Sequence, residues 1–418
     1  MQGFALNNIS DCYIGSNQVS AIYLGNVKIW PTTPPQPHDY SRDYLTFEAL
    51  EPTSFSFTQN DLQYSLDDGS TWTTLTAGNS TPQLSTGNKI LWKQTGLTSS
   101  SSNPRGIGTF SATGNFNACG NIMSLYYGDN FIGQESTRLQ TYAFYSLFEN
   151  CNKILNTNNL ILPTTYLNMS CYSRMFYNCT SLITSPTILP AITADDYCYS
   201  HMFYNCTSLT TAPTLPATSL DAYCYSHMFY NCTSLTTAPT LPATSTSSQC
   251  YNGMFQGCTS LTTAPSTLPA TGIGYLSYAY MFYGCTSLTT APEILATVMD
   301  DSSCYYMFYG CTSLTIAPSI LRPTTITREC YYHMFQNCTS LTTAPELPAS
   351  QLNVYCYEGM FSGCTSLNYI KCLATTGLNN TNLSGWVYNV SPTGTFVKDA
   401  SVTWPTGGIP SGWTIINA

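Results

Sequence analysis

Apolar and polar residues follow one another along this chain in a unit that repeats between residues 175 and 361. The unit reads Met-Phe-x-x-Cys-Thr-Ser-Leu, and its Met residues are 26 or 27 residues apart. These residues are Met175, Met202, Met228, Met254, Met281, Met307, Met334 and Met360. A period of this length is typical of a solenoid, in which each repeat is one coil and buries its apolar face against its neighbours.

Within one repeat the pattern predicts two kinds of element. Tyr199, Met202, Phe203 and Cys206 are spaced i, i+3, i+4 and i+7, which predicts one face of a short helix. The Thr-Ser-Leu-Thr-Thr-Ala stretch that follows is rich in β-branched residues and predicts a short strand. Pro213 ends that strand because proline cannot donate to a ladder. Each coil is therefore expected to be one short parallel strand and one helical turn.

Most of the cysteines recur at fixed positions of the repeated unit. Of the 19 cysteines, nine occupy the Cys-Thr-Ser-Leu position or its equivalent, and seven more precede Met-Phe by three or four residues. The first set is Cys151, Cys179, Cys206, Cys232, Cys258, Cys285, Cys311, Cys338 and Cys364, and the second is Cys171, Cys198, Cys224, Cys250, Cys304, Cys330 and Cys356. Such regular positions favour reduced thiols buried in the core, with disulfides as the alternative.

The rest of the chain predicts four further regions. Residues 44–118 show alternating strand-like runs and an Asp68-Gly69 turn, which predict a small antiparallel β domain before a solenoid at 119–370. A Pro-rich linker at 31–43 precedes that domain, and the aromatic segment 371–418 is expected to cap the last coil. A receptor-binding tip is the alternative for this last segment.

Residues 1–30 contain short strand-like runs broken by Gly15-Ser-Asn and Gly25-Asn, a β hairpin module too small to fold alone. We expect them to dock on another protein, with a hairpin folded back on the 44–118 domain as the alternative. The docking side chains are predicted to be Ile14, Ile22, Leu24, Ile29 and Trp30.

The composition of the chain argues against several classes of function. Only 8% of residues are charged and the net charge is −9, so a basic nucleic-acid surface is not expected. Apolar runs are too short for a membrane span. The N-terminus has no cationic and apolar signal pattern, so a complete chain of this sequence would be made and folded in a cytoplasm.

Candidate catalytic chemistry is sparse. His201, His227 and His333 each precede the repeated Met, but other units place Arg, Gly or Tyr there, as expected of a tolerant surface position. The acidic residues fall where the units differ most, and we expect them to be solvated rather than to form a glycosidase pair. They are Asp195, Asp196, Asp221, Asp300 and Asp301. We predict no catalytic, cofactor or metal site, and therefore no enzyme.

The units differ chiefly between Leu-Pro and the cysteine before Met-Phe. This segment is expected to line one edge of the rod, and its tyrosines offer rigid contact area to a glycan or protein. The predicted receptor contacts are Tyr197, Tyr223, Tyr275 and Tyr355. Neutral drift in exposed loops is the alternative.

Phe-x-x-Cys-Thr-Ser-Leu followed by Leu-Pro, over about residues 144–370, resembles the BspA-like leucine-rich repeats of gut bacteria and their phages. The resemblance implies a leucine-rich-repeat-like solenoid and a surface adhesion role. The Tyr-Leu-Gly-x-x-x-Ile-Trp run ending at Trp30 resembles short N-terminal modules of phage tail proteins.

Our main hypothesis is therefore a non-enzymatic virion component. Its residues 1–30 would bind other virion proteins, and its solenoid edge would bind the host surface. The alternative is a BspA-like adhesin of the bacterial cell surface, and a polysaccharide-degrading tail spike is a third, more distant hypothesis. A homotrimer is one assembly that the virion hypothesis allows.

Overall fold

The computed structural model describes residues 38–94, 106–134 and 136–418, and the backbone of four short strands before them. The chain divides into two compact units, Met1–Tyr40 and Ser41–Ala418. In the first unit, β1 (Tyr13–Ile14) pairs with β2 (Asn17–Gln18), and β3 (Ile22–Leu24) pairs with β4 (Val27–Trp30), both antiparallel. The proposed docking side chains Ile14, Ile22, Leu24, Ile29 and Trp30 lie outside the described residues.

The second unit begins with an antiparallel sheet. Its strands are β5 (Leu45–Ala49), β6 (Phe55–Phe57), β7 (Leu62–Ser65), β8 (Thr73–Leu75), β9 (Lys89–Lys93), β10 (Phe110–Ala112) and β11 (Phe116–Asn121). The main sheet runs β8-β7-β9-β5-β11, and β6 pairs with β10 beside it. Phe47 and Trp92 are completely buried in a cluster of aromatic rings, and Phe47 also contacts Phe148 of the first coil, so this region shares one core with the coils.

Strand β11 joins this sheet to the coils. One of its edges pairs antiparallel with β5, and it also pairs parallel with β12 (Ile154–Asn156) and β13 (Leu160–Ile161) of the first coil. A four-residue helix, α1 (Ser124–Tyr127), follows β11. The antiparallel region and the coils therefore share one continuous sheet and one compact unit.

Neighbouring coils pair in parallel through very short strands. These are β14 (Tyr166–Leu167), β15 (Thr193–Ala194), β16 (Ser219–Leu220), β17 (Ser245–Thr246), β18 (Thr267–Leu268), β19 (Gly272–Ile273), β20 (Glu293–Ile294) and β21 (Val298–Met299). Most lie at the start of the segment that varies between units, whereas the Thr-Thr-Ala stretch makes only single bridges such as Thr184 with Thr211. The predicted strand is therefore shorter than expected, because Pro213 follows two residues later and removes the next donor.

The predicted helical turn is wrong, although its buried face is right. Tyr199, Met202, Phe203 and Cys206 are all buried to at least 99%, but residues 196–205 form consecutive turns rather than an α-helix. The amides of Met202 and Tyr204 bond to the carbonyl three residues earlier, whereas those of Phe203 and its odd-numbered neighbours bond to the next coil. We call this part of each coil the turn segment.

Every fourth residue of a turn segment has a positive φ, as in Tyr197, His201 and Asn205 with 58°, 57° and 59°. The last of the three positions is Asn or Gly in every coil, the residues that adopt this left-handed conformation most readily. These residues are Asn150, Asn178, Asn205, Asn231, Gly257, Gly284, Gly310, Asn337, Gly363 and Asn389. The four-residue period explains why the buried spacing imitates a helix.

The coil interior consists of rows of identical side chains. The Phe row from Phe176 to Phe361 stacks ring on ring at 5.3–5.7 Å between centroids. A second row of fully buried rings contains Tyr172, Tyr199, Tyr225 and Tyr251, whose hydroxyls have no hydrogen-bond partner. The Phe row is continuous over these coils, whereas Cys304 interrupts the Tyr row, and buried Met, Cys and Leu side chains complete the interior.

The described cysteines are free thiols, and most are buried. The Cys206 thiol donates to the Phe176 carbonyl of the preceding coil at 3.1 Å, and Cys232 donates likewise to Phe203. Burial raises the pKa of the equivalent Cys258 thiol to about 12. These thiols therefore link adjacent coils in their protonated form.

At the C-terminal end, three parallel strands complete the stack: β22 (Tyr369–Cys372), β23 (Thr395–Lys398) and β24 (Thr414–Asn417). Trp386 is fully buried and stacks on Trp404 at 5.5 Å between centroids. The Trp404 indole therefore covers Trp386, which belongs to the last turn segment. In the described part of the chain, no helix has the length and apolar character needed to cross a membrane.

Candidate functional site

The segment that varies between units places Tyr197 and Tyr223 side by side. Their rings stack at 4.5 Å between centroids and 9° between planes. Gln249 of the next coil extends the row by donating from Nε2 to the Tyr223 hydroxyl at 2.6 Å. Tyr197 remains 38% exposed. This row, which we call the contact row, is three coils long and consists of two stacked tyrosine rings and one glutamine amide.

The other two predicted contact residues do not join the contact row. Tyr275 stands one residue earlier in its unit, so Leu276 holds the equivalent left-handed position. Tyr355 lies further along the stack, where the Arg328 guanidinium is 5.9 Å from its ring centroid. The structure therefore brings together two of the four predicted tyrosines.

A second set of tyrosines lies on the outside of the turn segments, at the residue after Phe. Tyr177, Tyr204 and Tyr230 stack at 4.7 and 4.4 Å between centroids. Tyr283 and Tyr309 stack at 4.7 Å two coils further on. Sequence reasoning overlooked this tyrosine row, although the repeated Phe-Tyr pair was its signal. Its rings are half-buried and show solvent mainly their edges and hydroxyls.

Two histidines form a neighbouring row. His201 and His227 stack at 5.1 Å, and each Nδ1 is bonded to the hydroxyl of the preceding serine. Burial first, then the nearby His227 and Arg174, lower the pKa of His201 to about 4. Because the rings are parallel and held alike, their free nitrogens do not converge on one point. Within the described residues, no group of three or more potential ligands is placed to hold a metal ion.

The acidic residues near the contact row bind other parts of the chain. Asp195 accepts from Arg138 at 2.8 Å, and Asp196 accepts from the Ala222 amide at 2.8 Å. Burial and the neighbouring Asp195 raise the pKa of Asp221. Asp301, on a later coil, accepts from the Arg328 amide at 3.1 Å. These bonds give Asp195, Asp196 and Asp301 roles in holding the coils.

A family model described as BspA type leucine rich repeat region matches residues 114–262, 170–303 and 278–384, with six copies. The predicted BspA-like resemblance is thereby confirmed. No match was found among curated proteins.

Two solved structures are similar in part. A leucine rich cell surface protein from Faecalibacterium prausnitzii A2-165 is 18% identical, over 74% of this chain and 91% of that one, with a TM-score of 0.32. A leucine-rich repeat protein from Bacteroides ovatus ATCC 8483 is 15% identical, over 73% of this chain and 96% of that one, with a TM-score of 0.21.

Proposed function

Because this chain belongs to the BspA-type leucine-rich repeat family, we propose that it is a non-enzymatic adhesion protein displayed on a bacterial cell surface. The observation that carries the proposal is the contact row. Stacked tyrosines occur where the units differ in sequence, so recognition is able to change there while the coils keep their packing. Tyrosine also suits this role, because it offers a large contact area at a small cost in side-chain entropy.

Paired variants test this role. Replacing both Tyr197 and Tyr223 by Ala should weaken binding of the labelled full chain to epithelial cells and mucus glycoprotein by about tenfold or more, since aromatic anchors usually dominate such interfaces. The matched control replaces Tyr275 and Tyr355, which lie outside the row. Circular dichroism of both variants shows whether the coils are intact. Equal binding by the two variants would remove the contact row from recognition.

A virion component remains the second candidate, and one observation favours it. Met1–Tyr40 is a compact unit separate from the coils, as expected of an attachment module. In this proposal Ile14, Ile22, Leu24, Ile29 and Trp30 bind other virion proteins, and the contact row faces the host bacterium. A polysaccharide-degrading spike gains no support from the acidic residues, because Asp195, Asp196 and Asp301 are bound to other parts of the chain.

Deletion of residues 1–37 tests the attachment module. The truncated chain should keep the circular dichroism of the coils but no longer enter phage particles assembled in its presence. Normal incorporation of the truncated chain would contradict the virion proposal. The cell-surface proposal would then stand, because its test depends on the contact row alone.

A further inference from the structure

Tyr388 is the last member of the tyrosine row. Its carbonyl accepts from the Gly363 amide at 2.8 Å, just as the Tyr230 carbonyl accepts from Asn205. Tyr388 therefore occupies the position after Phe in the final turn segment, with Ser362 as its equivalent on the preceding coil. Its side chain is 72% exposed, the largest exposed fraction among the large hydrophobic side chains that the structure describes.

The position of Tyr388 at the end of the row changes what its ring offers. Tyr204 is stacked between Tyr177 and Tyr230, and each of those two rings is covered on one face by Tyr204. Ser362 is too small to do the same for Tyr388, and among the described residues no other ring is in contact with it. Tyr388 is thus the member of the row with neither face covered by another ring, and its aromatic surface is available to a ligand.

The ring lies beside a cavity of about 380 Å³, within the usual range for small-molecule sites. The wall includes Trp386, Asn389, Ser391, Pro410 and Ser411. It is firmly held, because the Trp386 indole donates to the Gly408 carbonyl at 2.9 Å and the Trp413 indole donates to the Ser391 carbonyl at 2.8 Å. None of the lining residues carries a charge.

We propose that this cavity binds a neutral sugar residue. One face of a pyranose ring is made of C–H groups and packs on an aromatic face, while its rim carries hydroxyls. The lining contains the matching groups, namely Tyr388, the Asn389 amide and the Ser411 hydroxyl. The Ser391 hydroxyl donates to the Thr393 carbonyl at 2.9 Å and keeps its lone pairs to accept from a sugar hydroxyl. A cationic ligand would also stack on Tyr388, but the lining offers no carboxylate to balance its charge. The site is separate from the contact row and does not depend on it.

Saturation-transfer NMR on the full chain tests the proposal, with the methyl glycosides of glucose, galactose, mannose and N-acetylglucosamine as probes. At least one glycoside should bind saturably with a millimolar Kd. Tyr388→Ala should weaken that binding by about tenfold, the scale of one aromatic contact, while Tyr388→Phe should keep it. Tyr275→Ala removes an exposed tyrosine elsewhere and is the matched control.

Three outcomes would overturn the proposal. They are failure of all four glycosides to bind, binding that survives Tyr388→Ala, and Tyr388-dependent binding of choline in their place. Melting temperatures of the variants show whether the cap is intact. Adhesion through Tyr197 and Tyr223 is measured separately, so failure of this site leaves the proposed adhesion role intact.

Discussion

In each coil the turn segment and the remainder, which we call the strand segment (residues 207–220 in one coil), both bond their backbone N–H and C=O groups to neighbouring coils, but in different ways. The turn segment also needs a left-handed residue at every fourth position. Its interior side chains must stack in register, as Phe203, Phe229 and Phe255 do. The strand segment pairs only two residues at a time, and its exposed side chains have no such restriction. Sequence change collects between Leu-Pro and the cysteine before Met-Phe, where the short strands meet the start of the turn segment, whereas the Thr-Ser-Leu-Thr-Thr stretch hardly changes.

The largest expected effect comes from removing a stacked ring of the turn segment. Phe229 is fully buried, and its ring centroid lies 5.5 Å from that of Phe203 and 5.6 Å from that of Phe255. Phe229→Ala should destabilise the chain by about 3–5 kcal/mol, because it leaves a cavity between two rings. Thr237→Ala, on the exposed strand side of the same coil, should cost less than about 0.5 kcal/mol. Guanidinium unfolding measures both, and similar costs would contradict the contrast between the segments.

Acid should weaken the turn segments through His201. Its pKa is about 4 in the folded chain against the ordinary histidine value of 6.5, so the unfolded chain binds the proton more readily. The stability that follows from this difference is present above pH 6.5 and is lost as the pH falls towards 4. The loss amounts to roughly 3 kcal/mol at most.

The variant His201→Phe keeps a ring in the stack without a titrating group. Other groups titrate alike in both chains, so the difference between their unfolding free energies isolates the histidine. That difference should move in favour of the variant between pH 6.5 and 4. A constant difference over this range would mean that His201 titrates normally.

Substitutions at Gly284 measure the cost of the left-handed conformation without a change in packing. Gly284 has a φ of 69°, and nothing lies within 4 Å of the place where a Cβ would be. Gly284→Val should therefore cost about 1–2 kcal/mol more than Gly284→Asn, because a β-branched residue resists the left-handed conformation. Thermal unfolding of the two variants measures the difference. If valine were tolerated as well as asparagine, the turn segment would not depend on this conformation.

Sequence reasoning predicted the repeat and its buried residues, because both depend on spacing, and the BspA-like family from the likeness of its Phe-x-x-Cys-Thr-Ser-Leu motif. It missed the turn segment, because a four-residue period of turns buries Tyr199, Met202, Phe203 and Cys206 as a helix would. The invariable Asn or Gly before the cysteine was the available signal. The sequence alone could not predict which exposed tyrosines stack on one another. The stack of Tyr197 on Tyr223 depends on their common register, and the single-residue offset of Tyr275 removes it from the row.

The smallest effect concerns the buried tyrosines, where a substitution is expected to stabilise the chain rather than to destabilise it. Tyr199 is fully buried and its hydroxyl has no hydrogen-bond partner. An unsatisfied buried polar group costs free energy, so Tyr199→Phe should stabilise the chain by about 1 kcal/mol. Tyr331 occupies the same row, but its hydroxyl contacts the Met299 sulfur at 3.2 Å. Tyr331→Phe should consequently be neutral or slightly destabilising. Unfolding by guanidinium compares the two, and an equal loss of stability in both would show that the Tyr199 hydroxyl is satisfied in solution.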